Sequence, residues 1–592
     1  MLKSYRRLFG YYKGYRLKLI FSQVLLLISA SASMGVATLN QQLINDGIEA
    51  GNMQVVLEVG IWMMVLAMIA GAAMAGTAAY AVFFAQGTAY LLRTKLYNKI
   101  QTFSFENFDR FRTGNLLVRL SADVQYVQVS IMYTVMMFLT APFMITAALI
   151  LTAVKTPGLL WIMFAVIALI TAIMVVLVPP VFRAYTERQT RLDALNNTMQ
   201  ENLSGVRVVK AFVREDFENK RFAKRADEMR QPSYQAAFRV AFFSPLLSGM
   251  AQLAIAFSMF FGGRQVIEGT GLSVGELIAF TQYLNMVVMP LAMMAIVIPL
   301  ILRGDASASR IFTVMDAEIA ITDKPSAKPM PLAAAKGRIV FEDVTFAFRR
   351  PDGELDPPAI KNINLTIEPG QRVGFLGATG AGKSALVNLI PRFYDVTNGR
   401  ITIDGVDVRD IPQEDLRQIV GIGLQEALLF QGDMRFNLKF GAPDVDDHIM
   451  QEAAMAADSY GFISNLPLQW EAGVARRGYN FSGGQRQRLS MNRTLTARPK
   501  VLILDDSTSA LDVATESRVQ DAIPHFAPEL TTIYVAQRIS AVLNLDRIIL
   551  LENGEIIAQG SHEELMASSP MYQEIYESQL GSDVVAGIKG AA

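Results

Sequence analysis

Six long blocks without a charged residue occupy the first half of the chain: Leu19–Leu39, Ile61–Phe84, Ile131–Val154, Leu159–Val178, Ala241–Phe261 and Leu277–Leu302. Each reaches the roughly 20 apolar residues that a helix needs to cross a hydrocarbon core. Buried core helices of a large soluble protein are the competing reading, and six charge-free blocks in series argue against it. Composition agrees: hydrophobic residues make up 52% and charged residues only 18%, below the usual quarter of soluble domains. At 592 residues the chain suggests two or three domains. Lys plus Arg number 54 and Asp plus Glu number 54, so nothing global points to nucleic acid, and no nucleic-acid partner is expected. The absence of cysteine excludes disulfides, thiolate catalysis and cysteine metal sites.

Lys and Arg set the orientation. Lys3, Arg6, Arg7, Lys13, Arg16 and Lys18 surround the start of the first block. Arg93, Lys95, Lys99, Arg110, Arg112 and Arg119 follow the second, and Arg183, Arg188, Arg191, Arg207 and Lys210 follow the fourth. The short intervening loops carry almost none, so both termini and the two long loops are expected in the cytoplasm. Residues 1–16 mix aromatic and basic groups, as an interfacial helix does. A mitochondrial presequence is the weaker reading, because a span adjoins it and no serine-rich stretch occurs; no cleavable signal peptide is evident. The long loops keep helical periodicity, which predicts spans that continue into the cytoplasm. Short crosswise helices are expected near Phe108–Leu117 and Glu201–Val209. Gln23, Asn40, Gln41, Gln252, Gln282 and Asn285 bring polar groups into or beside the spans, and Met286, Met289, Met293 and Met294 give the sixth an adaptable face. The small residues of GAAMAGTAA in the second span predict close helix contact.

From Gly337 onward, short strands alternate with amphipathic helices, the pattern of a soluble α/β domain. Asp323–Gly337, rich in Pro and Ala, reads as a linker. Gly337–Phe348 and Ile360–Gly377 read as strands, and the second runs into GATGAGKS, Gly377–Ser384, ahead of the helical SALVNLI. That is a full GxxxxGK[ST] match between a strand and a helix. Its glycines (Gly377, Gly380 and Gly382 among them) let backbone N–H groups wrap phosphates, Lys383 reaches the β and γ oxygens, and Ser384 offers a hydroxyl to magnesium. Further on, Val501–Asp506 is an apolar run closing in two carboxylates, and Phe481–Gln485 reads as a helix N-terminus suited to an anion.

These motifs, in this order after six spans, resemble the ATP-binding cassette (ABC) exporters over the whole chain. The resemblance implies a membrane α-helical fold of six spans joined to an α/β P-loop NTPase domain. Its expected parts are an interfacial elbow helix at 1–16, a membrane domain at 17–320 with two coupling helices, a linker at 321–337, a nucleotide-binding domain at 338–580 and a flexible tail at 581–592. It implies ATP and Mg2+ as cofactors. Phe348 takes the adenine-stacking place, Thr379 and Ala385 belong with the P-loop, and Ser384, Gln425 and Asp505 face the metal. Ser482, Gly483, Gly484 and Gln485 match the signature, with Phe481 for the common leucine, and Ser509–Asp512 matches the D-loop, ending on Asp512.

Three departures sharpen the expectation. Asp506 stands where the family carries the glutamate that polarises the attacking water. One methylene less draws the carboxylate back from the about 2.6–3.2 Å reach that proton abstraction needs. Gln537 stands at the switch histidine's place, where it can hydrogen-bond a γ-phosphate but cannot titrate. Arg476 replaces an acid ahead of the signature. Together they resemble the non-consensus subunit of bacterial heterodimeric multidrug exporters. The chain is therefore expected in a bacterial inner membrane, as a multi-pass protein paired with a second half-transporter. Efficient hydrolysis is expected only in that complex, on behalf of a hydrophobic small-molecule or lipid substrate. A homodimeric lipid or drug exporter with slow hydrolysis, or an ATP-gated regulatory membrane protein, is the alternative.

Overall fold

In a computed structural model, residues 3–138, 140–269, 271–350 and 353–589 are described. They form two compact units, one of Met1–Gln101 with Gly114–Ala317, the other of Thr102–Thr113 with Glu318–Ala592.

Among the described residues, six helices are long and apolar enough to cross a membrane: Arg16–Glu49, Met53–Gln101, Thr113–Lys155, Pro157–Ser204, Pro245–Ile267 and Val274–Leu291. The helices containing the second and fifth run 49 and 53 residues. At about 1.5 Å per residue they are more than twice the length of a core of about 30 Å. Small residues join the first two spans. Ser22 Oγ donates to the Thr77 carbonyl at 3.1 Å and Ser29 Oγ to the Ala70 carbonyl at 2.9 Å. A Cβ on Gly76 would meet Leu25 Cδ1 at 2.8 Å, so GAAMAGTAA does serve close helix contact. Ahead of the first span, Lys3–Leu8 is α-helical and Phe9–Tyr15 a 3-10 segment. Arg7 grips Asp316 with two bonds of 2.6 and 2.7 Å, fastening this segment to the end of the sixth helix.

Short helices stand near both expected places, Phe105–Phe111 overlapping 108–117 and Val206–Ala211 overlapping 201–209. At the first, Ser104 and Asn107 make a reciprocal capping box that starts the helix three residues early. At the second, the long helix runs through Ser204 and stops at Gly205. Helical propensity alone does not mark either break.

In the second unit, a six-stranded sheet has the order Glu555–Gly560, Arg547–Glu552, Arg372–Leu376, Thr531–Ala536, Val501–Asp505, Val420–Gly423. All neighbours pair in parallel except at the Glu555–Gly560 edge. Both faces of the parallel strands are covered, which is why Val501–Asp505 and Thr531–Ala536 are buried at every position. A smaller antiparallel sheet of four strands begins with Ile339–Phe346. The proline-rich linker is held to this unit: Lys324 pairs with Asp410 at 2.7 Å and the Met330 amide donates to Asp415 at 2.8 Å. The last helix is Pro570–Lys589, so it extends into the segment expected as a tail at 581–592, and residues 590–592 lie outside the described residues.

Candidate functional site

The parallel strand Arg372–Leu376 delivers Gly377–Ser384 to the carboxyl edge of the sheet. There Gly380 and Gly382 hold φ of 86° and 97°, a left-handed turn that glycine enters without strain. A Cβ on Gly382 would meet the Ala359 carbonyl at 2.6 Å, and Ala385 is buried in the first turn of the helix that follows. Lys383 is 6% exposed, and its Nζ donates to the carbonyls of Gly377 at 2.7 Å and Ala378 at 2.9 Å. Burial lowers its pKa below the ordinary lysine value, against the attraction of Asp506 and Asp505.

Asp505 closes the neighbouring strand at 5% exposure and accepts a 2.9 Å bond from Ser384 Oγ. Burial raises its carboxyl above the usual range; the Ser384 bond opposes this and the Asp506 charge adds to it. An acid held this way is short of positive charge. Among the described residues no group of three or more His, Cys, Asp or Glu could hold a metal. A hydroxyl and a carboxylate in contact instead fit Mg2+, which takes one or two carboxylates and completes its shell with phosphate oxygens.

Asp506 follows with φ of 49°. Its amide donates to the Val535 carbonyl at 3.0 Å, and its Oδ2 accepts a long 3.3 Å bond from Gln425 Nε2. Gln537, just past the strand Thr531–Ala536, accepts at Oε1 a 3.2 Å bond from Thr379 Oγ1 of the P-loop. Three separate bonds thus pair the predicted residues, Thr379 with Gln537, Ser384 with Asp505 and Gln425 with Asp506, while Lys383 bonds the P-loop carbonyls. Phe348 is 36% exposed, with Phe346 and Tyr394 edge-on at 4.8 and 5.4 Å, leaving ring surface free to stack.

The signature lies on a different helix, Gly483–Thr496. Ser482 and Gln485 cap it reciprocally: Ser482 Oγ accepts from the Gln485 amide at 3.3 Å, and Gln485 Oε1 from the Ser482 amide at 2.9 Å. Phe481 is buried among Leu429, Met434 and Leu489, which explains why a larger apolar residue is accepted there. Gln487 ties this helix to the D-loop, accepting from the Ala510 amide at 2.9 Å and donating to Ser509 Oγ at 3.2 Å. Asp512 caps the next helix through Thr515. Among the described residues, no hydrogen bond joins Ser482–Gln485 to the P-loop of the same chain.

Sequence reasoning missed two features. Phe105 stacks on Phe393 at 4.2 Å, and Tyr394 Oη donates to Asp109 at 2.7 Å, so the short helix Phe105–Phe111 packs on the P-loop domain. The visible signal was the pair of adjacent aromatics in PRFYDV, Phe393 and Tyr394. Gln579 bonds the backbone on both sides of Arg538, and an isolated glutamine gives no sequence signal.

This geometry defines a P-loop nucleotide-binding domain on the same chain as six membrane spans. Residues 19–291 match the family model for the ABC transporter transmembrane region and residues 360–509 that for the ABC transporter. The chain is 33% identical to the uncharacterized ABC transporter ATP-binding protein YfiB of Bacillus subtilis, over 97% of this chain and 98% of that one. It is 32% identical to an ATP-dependent lipid A-core flippase of Syntrophus aciditrophicus, over 98% and 95%. A bacterial Atm1-family ABC exporter solved with ATP bound shares the fold, with a TM-score of 0.79 at 22% identity over 95% of this chain and 98% of that one. The chain belongs to the ABC transporters, as a half-transporter of the exporter type in a family that binds and hydrolyses ATP.

Proposed function

We propose that this chain is the weakly hydrolysing subunit of a heterodimeric exporter in a bacterial inner membrane. The observation that carries the reading is the pair of shortened or non-titrating groups at one phosphate site. Asp506 is drawn onto Gln425, and Gln537 is engaged with Thr379. A carboxylate hydrogen-bonded to an amide and one methylene short is a poor base for water, and glutamine cannot carry the proton that a histidine would. Phosphoryl transfer then depends on positioning and on charge stabilisation by Lys383 and by the magnesium that Ser384, Asp505 and Gln425 would hold. Phe348 would stack on the adenine. The intact Ser482–Gln485, at the N-terminus of its helix, would complete the site of a second half-transporter.

The substrate we infer is a hydrophobic, uncharged compound. A groove of about 520 Å³ in the membrane unit is lined by Ser33, Val36, Ala67, Ala70, Gln282 and Asn285, with Met286 beside them. It carries amides and a hydroxyl but no charge. A homodimeric lipid exporter is the second reading, favoured by the relatives named lipid A-core flippases.

The test is magnesium-dependent ATP hydrolysis by the purified full-length chain, alone and with its partner subunit. The lone chain is expected to be slow. In the pair, Asp506→Ala should reduce turnover less than about threefold, and Ser482→Ala at least about tenfold, a difference of about 1.4 kcal/mol in barrier per decade. Vigorous hydrolysis by the lone chain, or the reverse ranking, would exclude the division of labour.

A further inference from the structure

The helix Pro570–Lys589 is anchored without help from Gln579. Tyr572 is fully buried, its hydroxyl lies 2.7 Å from His562 Nδ1, and Ile575, Tyr576 and Leu580 pack against the same core. Gln579 itself is exposed. Its amide nevertheless spans two peptide units of the switch segment. Oε1 accepts from the Ile539 amide at 2.7 Å and Nε2 donates to the Gln537 carbonyl at 3.0 Å. Between them Arg538 is extended, with φ of −96° and ψ of 131°, so its neighbours offer one N–H and one C=O on a single side, as a strand edge does. A primary amide carries both complements and fits that pair.

We propose that Gln579 is a positioning residue for Gln537, and that the last helix thereby braces the γ-phosphate side of this chain's own ATP site. The inference rests on the reading that Gln537 faces the γ-phosphate. A glutamine side chain has three rotatable bonds and lacks the rigid ring of a histidine, so where its amide points depends heavily on where its backbone is held. The contacts run in one line: Gln579 to the backbone at 537 and 539, then the Gln537 side chain to Thr379 of the P-loop. The helix is otherwise set back from the P-loop. A cavity of about 450 Å³ lies between Gly377–Ala381 and the face bearing Met571, Ile575 and Ser578. Releasing Gln579 therefore frees the switch segment without unpacking the loop that holds the α- and β-phosphates.

The measurement is the ratio of ADP to ATP dissociation constants, with Mg2+, on the full-length chain in lipid nanodiscs, by displacement of a fluorescent nucleotide. This ratio reads contact with the γ-phosphate and does not require hydrolysis. Gln537→Ala should lower it by roughly threefold to tenfold, the range that one hydrogen bond supplies. Gln579→Leu should lower it similarly while ADP affinity stays the same, and the double variant should lose no more than either single one. Gln579→Glu keeps the volume and the Ile539 bond but loses the donor to Gln537, and should fall between; it also serves if the leucine variant fails to fold. A fall in ADP and ATP affinity together would mean a merely structural role and overturn the proposal. So would multiplying losses in the double variant, or an unchanged ratio for both Gln579 variants while Gln537→Ala still lowers it. No effect of Gln537→Ala would overturn the underlying reading of the switch as well.

Discussion

The two adjacent carboxylates Asp505 and Asp506 differ in what holds them. Asp505 is buried with a hydroxyl partner, and burial raises its pKa. An acid whose folded pKa lies above its unfolded value favours the fold when protonated. That contribution is complete below the unfolded pKa, near 4, and is lost as pH rises through the raised folded value. Without magnesium, the nucleotide-binding domain should therefore melt lower at pH 7 than this group alone would give at pH 4. Asp505→Asn should raise the metal-free melting temperature at pH 7, and added Mg-ATP should stabilise it far less than the wild type. A lower metal-free melting temperature in the variant would contradict the assignment of Asp505 as an acid whose charged form is disfavoured by burial. The identities of Asp505, Asp506 and Gln537 are legible in the sequence, because motif spacing fixes them to within a residue. Their partners are not. Nothing in the spacing says that Gln425 bonds Asp506 or that Thr379 bonds Gln537, since those contacts join residues 81 and 158 positions apart.

At the scale of elements, apolar runs announced the parallel strands because both faces of each are buried, and alternation therefore disappears. The order of those strands was not legible. It depends on pairing between segments as distant as Arg372–Leu376 and Arg547–Glu552. The crosswise helices show the opposite failure. Their existence was expected from the family resemblance, but a start such as that at Phe105 is set by a side-chain cap, Ser104 with Asn107. Phe105–Phe111 gains its place from Phe105 on Phe393 and from Tyr394 to Asp109. Burial and the Asp109 carboxylate raise the Tyr394 pKa, so the phenol stays a donor throughout the physiological range. The aromatic pair is worth about 0.5–1.5 kcal/mol beyond its buried area. Phe105→Ala should accordingly lower substrate transported per ATP hydrolysed at least about threefold in proteoliposomes holding the assembled transporter, with hydrolysis itself changed less than about twofold. Equal loss of both would show that the helix supports catalysis and not its linkage to the spans. Tyr394→Phe, which keeps the ring and removes one hydrogen bond, should give a smaller loss in the same direction.

Across the whole molecule, the P-loop and the signature of one chain sit on separate elements with no shared hydrogen bond among the described residues, which is the arrangement a sandwich of two chains requires. The chain contains no cysteine, so introduced thiols report without background. Thr379 lies on the P-loop and Ser482 at the signature, both exposed. If two copies of this chain close on ATP, Thr379→Cys of one approaches Ser482→Cys of the other, and the doubly substituted chain oxidises to a dimer carrying both links. If the assembly is heterodimeric, the doubly substituted chain alone stays monomeric under Mg-ATP and mild oxidation. Mixed with its partner subunit carrying one cysteine at its own signature, it forms a single heterologous link through Thr379→Cys. Cβ atoms must come within about 3.5–4.5 Å for a disulfide, so the reaction reports closure and not casual collision. We expect the second pattern. Efficient disulfide dimers of the lone chain would make it a homodimer, and the shortened Asp506 would then mark two equally slow sites instead of one silent and one active.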